Sequence, residues 1–258
     1  MRHWKRKALA MGAMATMVAG SVQAQVYTVS IDGSDAIWLA GRTDLVIPDA
    51  GVIWPDGLGR HPITPEMIKE TLPPTIAVGA GDVVRALDPA VGGISFFNGI
   101  GDPFYGPSGN TSAGSSLSAF GGISSYAGPQ GPLVGVFLGS DVPNGAAPGG
   151  LDFTPGGLTT DFTTLSPGLG QVFYIGDGKT SGGVFQTFIA PTGATRLALG
   201  IPDGFGFGGA PGAYDDNDGG YRIRIGVNSV PTIPEPSTYA LMALGLAGLG
   251  WVARRRRR

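Results

Sequence analysis

Oxygen-bearing side chains gather once in this chain at a spacing that suits chemistry. The segment runs Asp203-Gly-Phe-Gly-Phe-Gly-Gly-Ala-Pro-Gly-Ala-Tyr-Asp-Asp-Asn-Asp-Gly-Gly. Asp203, Asp215, Asp216, Asn217 and Asp218 place five hard oxygen side chains in one loop. Carboxylate and amide oxygens in a flexible loop suit Ca²⁺, which takes about six to eight such ligands. The interleaved glycines let the chain wrap so that main-chain carbonyls also turn inward. The spacing is not that of an EF-hand. With Gly219 at the turn position, Tyr214 falls where the first Asp belongs, and Ile225 where the closing Glu belongs. The same residues also make an ordinary solvated acidic hairpin turn, because Asn, Asp and Gly are turn formers. Composition leaves both readings open.

Catalysis is poorly provided for. His61 is the only histidine beyond the N-terminal segment, and it sits between Arg60 and Pro62. No G-x-S-x-G elbow accompanies it. The glycine-rich stretches do not end in Gly-Lys-Ser/Thr, so there is no phosphate loop. Cysteine is absent, which excludes disulfides, thiolate metal sites and a cysteine nucleophile. Paired carboxylates could act as acid and base, but nothing singles out a pair. The chain therefore reads as a non-enzyme, with a secreted hydrolase as the remaining catalytic alternative.

The stretch from Pro211 through Asp215, Asp216, Asn217 and Asp218 to Tyr221, followed by an alternating strand, is similar to the C-terminal part of the PA-I type galactophilic lectins. Weaker likenesses precede it in the same order: Gly81-Asp82-Val83-Val84, Gly106-Pro107-Ser108-Gly109 and Leu133-Val134-Gly135. The resemblance implies a small calcium-dependent β-sandwich over about residues 79–227. It assigns Asp216 and Asn217 as paired side-chain ligands, Ala213 as a main-chain carbonyl ligand and Asp203 as the first carboxylate. The loop between Asp203 and Pro211 is longer than the pattern. A further carbonyl is expected from 94–99. The sugar-contacting, His-containing loop of that family has no counterpart in 110–131, so galactose specificity is not implied.

The elements that must position this loop read as strands. Short runs rich in β-branched and aromatic residues occur at 26–31, 36–40, 75–78, 83–87, 94–97, 133–138, 171–175, 184–189, 196–199 and 221–227. In the last, Tyr221, Ile223, Ile225 and Val227 share one face, and Arg222 and Arg224 the other. One short helix is expected near 64–72, capped by Thr64 with Pro65 and Glu66 in its first turn and stopped by Pro73-Pro74. Residues 92–131 and 144–160 read as long Gly-, Pro- and Ser-rich loops, either functional or surface padding. The pattern predicts an all-β fold: a β-sandwich, jelly-roll or galactose-binding-like, with a barrel as runner-up.

The two ends carry addresses. Arg2, Lys5, Arg6 and Lys7 precede an apolar run at 8–18, and Val22-Gln23-Ala24 is a small-x-small site. This predicts a signal peptide over 1–24, helical in its apolar run, with cleavage between Ala24 and Gln25. A body at 25–229 follows, and then a tail at 230–258. In the tail Pro234, Glu235 and Pro236 lead into an apolar run at 239–253, then Arg254, Arg255, Arg256, Arg257 and Arg258. Arginines on that side of an apolar segment resist crossing, so this end stays cytoplasmic. The apolar run is slightly short of the ~20 residues that span a bilayer comfortably.

The tail resembles a PEP-CTERM sorting signal, which pairs Pro-Glu-Pro with a short apolar helix and a basic end. The resemblance implies an exosortase, a membrane-embedded cysteine protease/transpeptidase of Gram-negative bacteria, as partner. It also implies a transient transmembrane helix and a final place at the cell surface or outside the cell. Removing both ends changes the charge. The whole chain has a formal net charge of −2, but the body holds 18 acidic against 8 basic residues, about −10. Such a body argues against nucleic acid. The sequence as a whole is thus expected to be an exported surface or matrix protein with a calcium-stabilised sandwich that binds glycan or extracellular polysaccharide. The alternative is a structural surface or biofilm protein without a ligand.

Overall fold

The computed structural model describes residues 24–45, 70–97 and 103–229. The expected signal helix, the apolar sorting helix, His61 and most of the expected helix at 64–72 lie outside the described residues. The last part of that helix, 70–72, is not helical: Thr71 forms a single parallel bridge with Asp35.

Alternation decides the central strand. Tyr221, Ile223, Ile225 and Val227 are buried while Arg222 and Arg224 are exposed, as a period of two requires. The strands are β1 (Gln25–Asp32), β2 (Thr75–Ala77), β3 (Val83–Ala86), β4 (Val91–Ser95), β5 (Asn110–Leu117), β6 (Tyr126–Gln130) and β7 (Val134–Leu138). They continue as β8 (Leu151–Asp152), β9 (Thr164–Leu165), β10 (Val172–Tyr174), β11 (Thr187–Ile189), β12 (Arg196–Gly200), β13 (Gly208–Gly209) and β14 (Asp218–Val227).

One six-stranded sheet runs β1-β14-β3-β11-β9, with β4 pairing the first half of β14. A four-stranded sheet runs β10-β7-β12-β2, and a second runs β13-β5-β6-β8. None of the sheets closes on itself, so the chain is an open all-β sandwich. Its first two sheets meet through rings: Phe173 on β10 lies 5.0 Å from Phe188 on β11, and stacks at 5.1 Å on Phe137 of β7. Burying each such side chain contributes roughly 2–3 kcal/mol. Gly135 on β7 has to be glycine, because a Cβ there would lie 2.8 Å from the Phe173 ring.

Four expectations need correction. Residues 36–40 are not a strand; Ile37–Leu39 form a fully buried 3₁₀ turn whose Trp38 indole N–H donates to the Ser124 carbonyl at 2.9 Å. A short apolar run has no periodicity that separates strand from buried turn. Residues 92–131 are not one loop, since they hold β5 and β6, which pair antiparallel. Residues 144–160 contain β8, which joins β6 in parallel. The fourth strand begins at Val91 and not Ile94, because Gly92 and Gly93 lie against Tyr221 and Gly220 of β14.

Candidate functional site

β12 ends at Gly200, and β14 begins at Asp218. The acidic loop bridges them, so its two ends are held by different sheets. A 3₁₀ turn, Tyr214–Asp216, packs the Tyr214 ring into the core. The Tyr214 hydroxyl donates to the Ile201 carbonyl at 2.8 Å and accepts from the Asp203 N–H at 3.2 Å. This tyrosine draws the two ends of the loop together. Gly219 closes the far side at φ +92°, where a Cβ would lie 2.3 Å from the Gly93 carbonyl oxygen.

The structure brings Asp203 and Asn217 into contact. Asp203 is 2 % exposed and Asn217 3 %. The Asn217 amide N–H₂ donates to Asp203 Oδ2 at 2.8 Å and to the Gly33 carbonyl at 3.0 Å. Asp203 Oδ1 accepts the Gly204 N–H at 2.7 Å. Burial pushes the Asp203 carboxyl well above the usual carboxylate range, and the Asp216 and Asp215 charges push it further. The bonds from Asn217 and Gly204 oppose this and do not overcome it. Asn217 Oδ1 is buried and accepts no hydrogen bond among the described residues.

Asp216 is half-buried on the 3₁₀ turn, close enough for its charge to act on Asp203. Ala213 precedes that turn in the left-handed region, at φ 60° and ψ 29°. A non-glycine residue there is strained by roughly 1–2 kcal/mol. In the 94–99 stretch, from which a further carbonyl is expected, the Ile94 oxygen accepts the Tyr105 N–H at 2.8 Å. Residues 98 and 99 lie outside the described residues.

Gly33 supplies a carbonyl that sequence reasoning missed. Its segment, Asp32-Gly33-Ser34-Asp35, follows β1 and is tied to the site by the Gly33 N–H donating to the Gly219 carbonyl at 2.9 Å. Asp35 is buried beside it and accepts from Thr71 Oγ1 at 2.6 Å and from the Asp32 N–H at 2.8 Å. Desolvation raises its pKa to about 6 despite these bonds. Glu70 is also buried, and its charge helps push the Tyr214 phenol up, after burial and Asp203. An Asp-Gly-Ser-Asp run after a strand was the available signal.

A cation here would take carboxylate oxygen from Asp203 and Asp216, amide oxygen from Asn217 and main-chain oxygen. Among the described residues no three Asp, Glu, His or Cys side chains gather in a metal-holding group. Any ion held here would have to draw on the Asn217 amide and on main-chain oxygen besides the carboxylates, a donor set of hard oxygens and not of His or Cys.

Among known protein families, a model described as the PEP-CTERM protein-sorting motif matches residues 232–258. The chain carries that motif at its C-terminus, and the motif supports an exported protein that an exosortase sorts and that is held transiently in the membrane by its C-terminus. No curated protein and no solved structure matches the chain. No helix among the described residues is long and apolar enough to cross a membrane.

Proposed function

We propose that the sandwich is a calcium-stiffened, carbohydrate-binding body which the sorting motif delivers to the outside of a Gram-negative cell, without a catalytic role. The observation that carries the calcium reading is the buried Asp203–Asn217 contact. The Asp203 carboxyl is desolvated there, within electrostatic reach of Asp216 and Asp215 and with only two hydrogen-bond donors, and the Asn217 amide oxygen is buried without a donor. Burying charged and polar groups without partners costs several kcal/mol. A divalent cation bound by Asp203, Asp216 and Asn217, with main-chain oxygen such as that of Ala213, would remove both costs.

The strained Ala213 is consistent with a backbone held for a purpose. The acidic body supports the same reading, since it draws cations and repels nucleic acid. The likeness of this loop to the PA-I type lectins supports carbohydrate over other ligands. The expected outcome is that Asp216→Ala abolishes calcium binding while the purified protein stays folded. Unchanged calcium binding in that variant would remove the loop from the account.

At the tail, cleavage near Pro234, Glu235 and Pro236 releases the body, and the arginine end stays in the cytoplasm until then. Replacing Glu235 and both prolines is expected to leave full-length protein in the membrane fraction. Release at the wild-type rate would replace sorting with a simple tail anchor or incidental proteolysis.

A further inference from the structure

A trough crosses the molecule away from the acidic loop. It is made of two cavities, of about 410 and about 400 Å³, which share Thr111 and Thr160. Each falls in the size range of small-molecule sites, roughly 300–1,000 Å³. One wall is β5. The register between β5 and β6 shifts between Asn110 and Gly114, so Thr111, Ser112 and Ala113 have no ladder partner opposite them on β6. These are the residues that line the trough. A bulge re-aims side chains and frees a strand from regular pairing, and such bulges collect beside binding sites.

The facing wall is the connection from β8 to β9, and its geometry is fixed from behind. Gln186 is fully buried, and its amide donates to the Thr160 carbonyl at 3.0 Å and the Phe162 carbonyl at 2.9 Å. Asp161 accepts the Ser181 N–H at 2.6 Å and the Ser181 hydroxyl at 3.0 Å, which locks this wall to the turn that closes the trough's end. Thr159, on the lip, sits at φ 57°. A β-branched residue is an outlier there, and such strain persists only where the surroundings over-determine it. The walls are thus set before any ligand arrives, which lowers the entropic cost of binding.

The lining names the ligand class. At one end Pro129, Phe153 and Pro155 give an apolar floor beside the hydroxyls of Thr111, Ser112 and Thr154. At the other end Ser108, Thr160, Thr180 and Ser181 surround Asp161, Asp177 and Lys179. The charges there are largely committed. Asp161 is taken by Ser181, Asp177 Oδ1 accepts the Lys179 N–H at 3.0 Å, and the Lys179 ammonium lies 4.4 Å over the Phe185 ring. The hydroxyls of Ser181, Thr180, Thr154 and Ser108 also have partners, so what remains on offer is the hydroxyls of Thr111, Ser112 and Thr160 beside the apolar floor. A sugar ring has the same composition, with an apolar C–H face and hydroxyl edges. A polyanion would meet a body of about −10.

We infer that this trough, and not the acidic loop, is where the body holds its glycan: a neutral oligosaccharide segment laid along β5. The inference rests on the carbohydrate-binding reading above and moves the contact away from the ion. The test uses the full chain purified in detergent with calcium present. The probes are immobilised cellohexaose, maltohexaose, mannohexaose and a polyuronate.

Thr111→Trp and Gly114→Trp fill the trough. A Cβ at Gly114 meets only the Gly128 carbonyl oxygen, at 3.8 Å, an ordinary contact. The expected result is binding of the wild type to at least one neutral probe, weakened about tenfold or more in both variants, with thermal midpoint and calcium response unchanged. Wild-type binding in both tryptophan variants overturns the trough, and loss in Asp216→Ala would then return the contact to the ion loop. Binding of the polyuronate alone overturns the neutral-ligand assignment. Silence of the wild type on every probe overturns the carbohydrate reading itself, and the trough with it.

Discussion

The acidic loop and the β5 trough are both oxygen-rich, and they treat their oxygens in opposite ways. In the loop, Asp203 and Asn217 are buried, a carboxylate lies among like charges, and an amide oxygen goes without a donor. In the trough, the carboxylate of Asp161 is exposed and accepts two bonds from Ser181, and hydroxyl-bearing residues line an open cavity. The first arrangement is one that a bound cation, as proposed, would relieve. In the second the exposed carboxylate already has its partners, which is the basis for proposing a neutral ligand there. Oxygen count alone therefore says little about what a site binds; burial and existing partners decide.

The largest effect should come from breaking the loop's frame. Gly219→Ala puts a Cβ 2.3 Å from the Gly93 carbonyl oxygen at φ +92°. It should destabilise the protein by about 3 kcal/mol or more, read by denaturant unfolding, and should leave the trough's sugar binding in the folded fraction intact. Loss of both together would show that the two regions are not independent.

A second effect is pH dependence. Asp35 has its pKa raised from 3.8 to about 6, mainly by desolvation. The folded state thus keeps a proton that the unfolded state gives up. The stability this contributes is fully present below a pH of about 4 and is lost as the pH climbs through about 6. Asp203 is raised in the same direction. Without calcium, the protein should gain stability on mild acidification, and Asp35→Asn should flatten that slope by of order 2 kcal/mol across the window. A slope that survives in Asp35→Asn would assign it elsewhere. A calcium ion at the proposed site would compete with the proton on Asp203, whose pKa burial raises, so its affinity should rise with pH.

The smallest effect belongs to the trough. Thr159→Gly relieves a residue at φ 57°. Relief of roughly 1–2 kcal/mol of strain, offset by the unfolded-state entropy of glycine, leaves a gain of about 0.5 kcal/mol or less. Thermal midpoints read it, and a clear loss of stability would mean that the bond from the Asp161 N–H to the Thr159 hydroxyl, 3.3 Å, outweighs the relieved strain.

The two regions also differ in how much the sequence revealed. The acidic loop was legible because its donors are contiguous and charged, and Asp203 and Asn217 do meet across the loop. What could not be seen was that the Gly33 carbonyl joins them, because a backbone bond to Gly219 brings that segment in from the far end of the chain. The trough was marked only as two Gly-, Pro- and Ser-rich stretches, 92–131 and 144–160, not as a site. Its lining comes from four separate stretches of mostly uncharged residues, and β5, Asn-Thr-Ser-Ala-Gly-Ser-Ser-Leu, lacks the β-branched alternation that identifies a strand. It pairs as a strand because β6 lies beside it, not because of its own propensity. β14 was legible for the contrary reason, as every second residue of it faces the core.

The central claim is that the Asp203–Asn217 pair is completed by calcium. Its most direct test is isothermal titration of the full chain with CaCl₂, beside thermal unfolding with and without the ion. The account predicts saturable heat and an upward shift equivalent to about 2.7 kcal/mol at a hundredfold excess over Kd. Both should be absent in Asp203→Asn and Asp216→Ala. A wild-type protein that gives no heat and no shift contradicts the claim, and the loop is then a buried acidic turn.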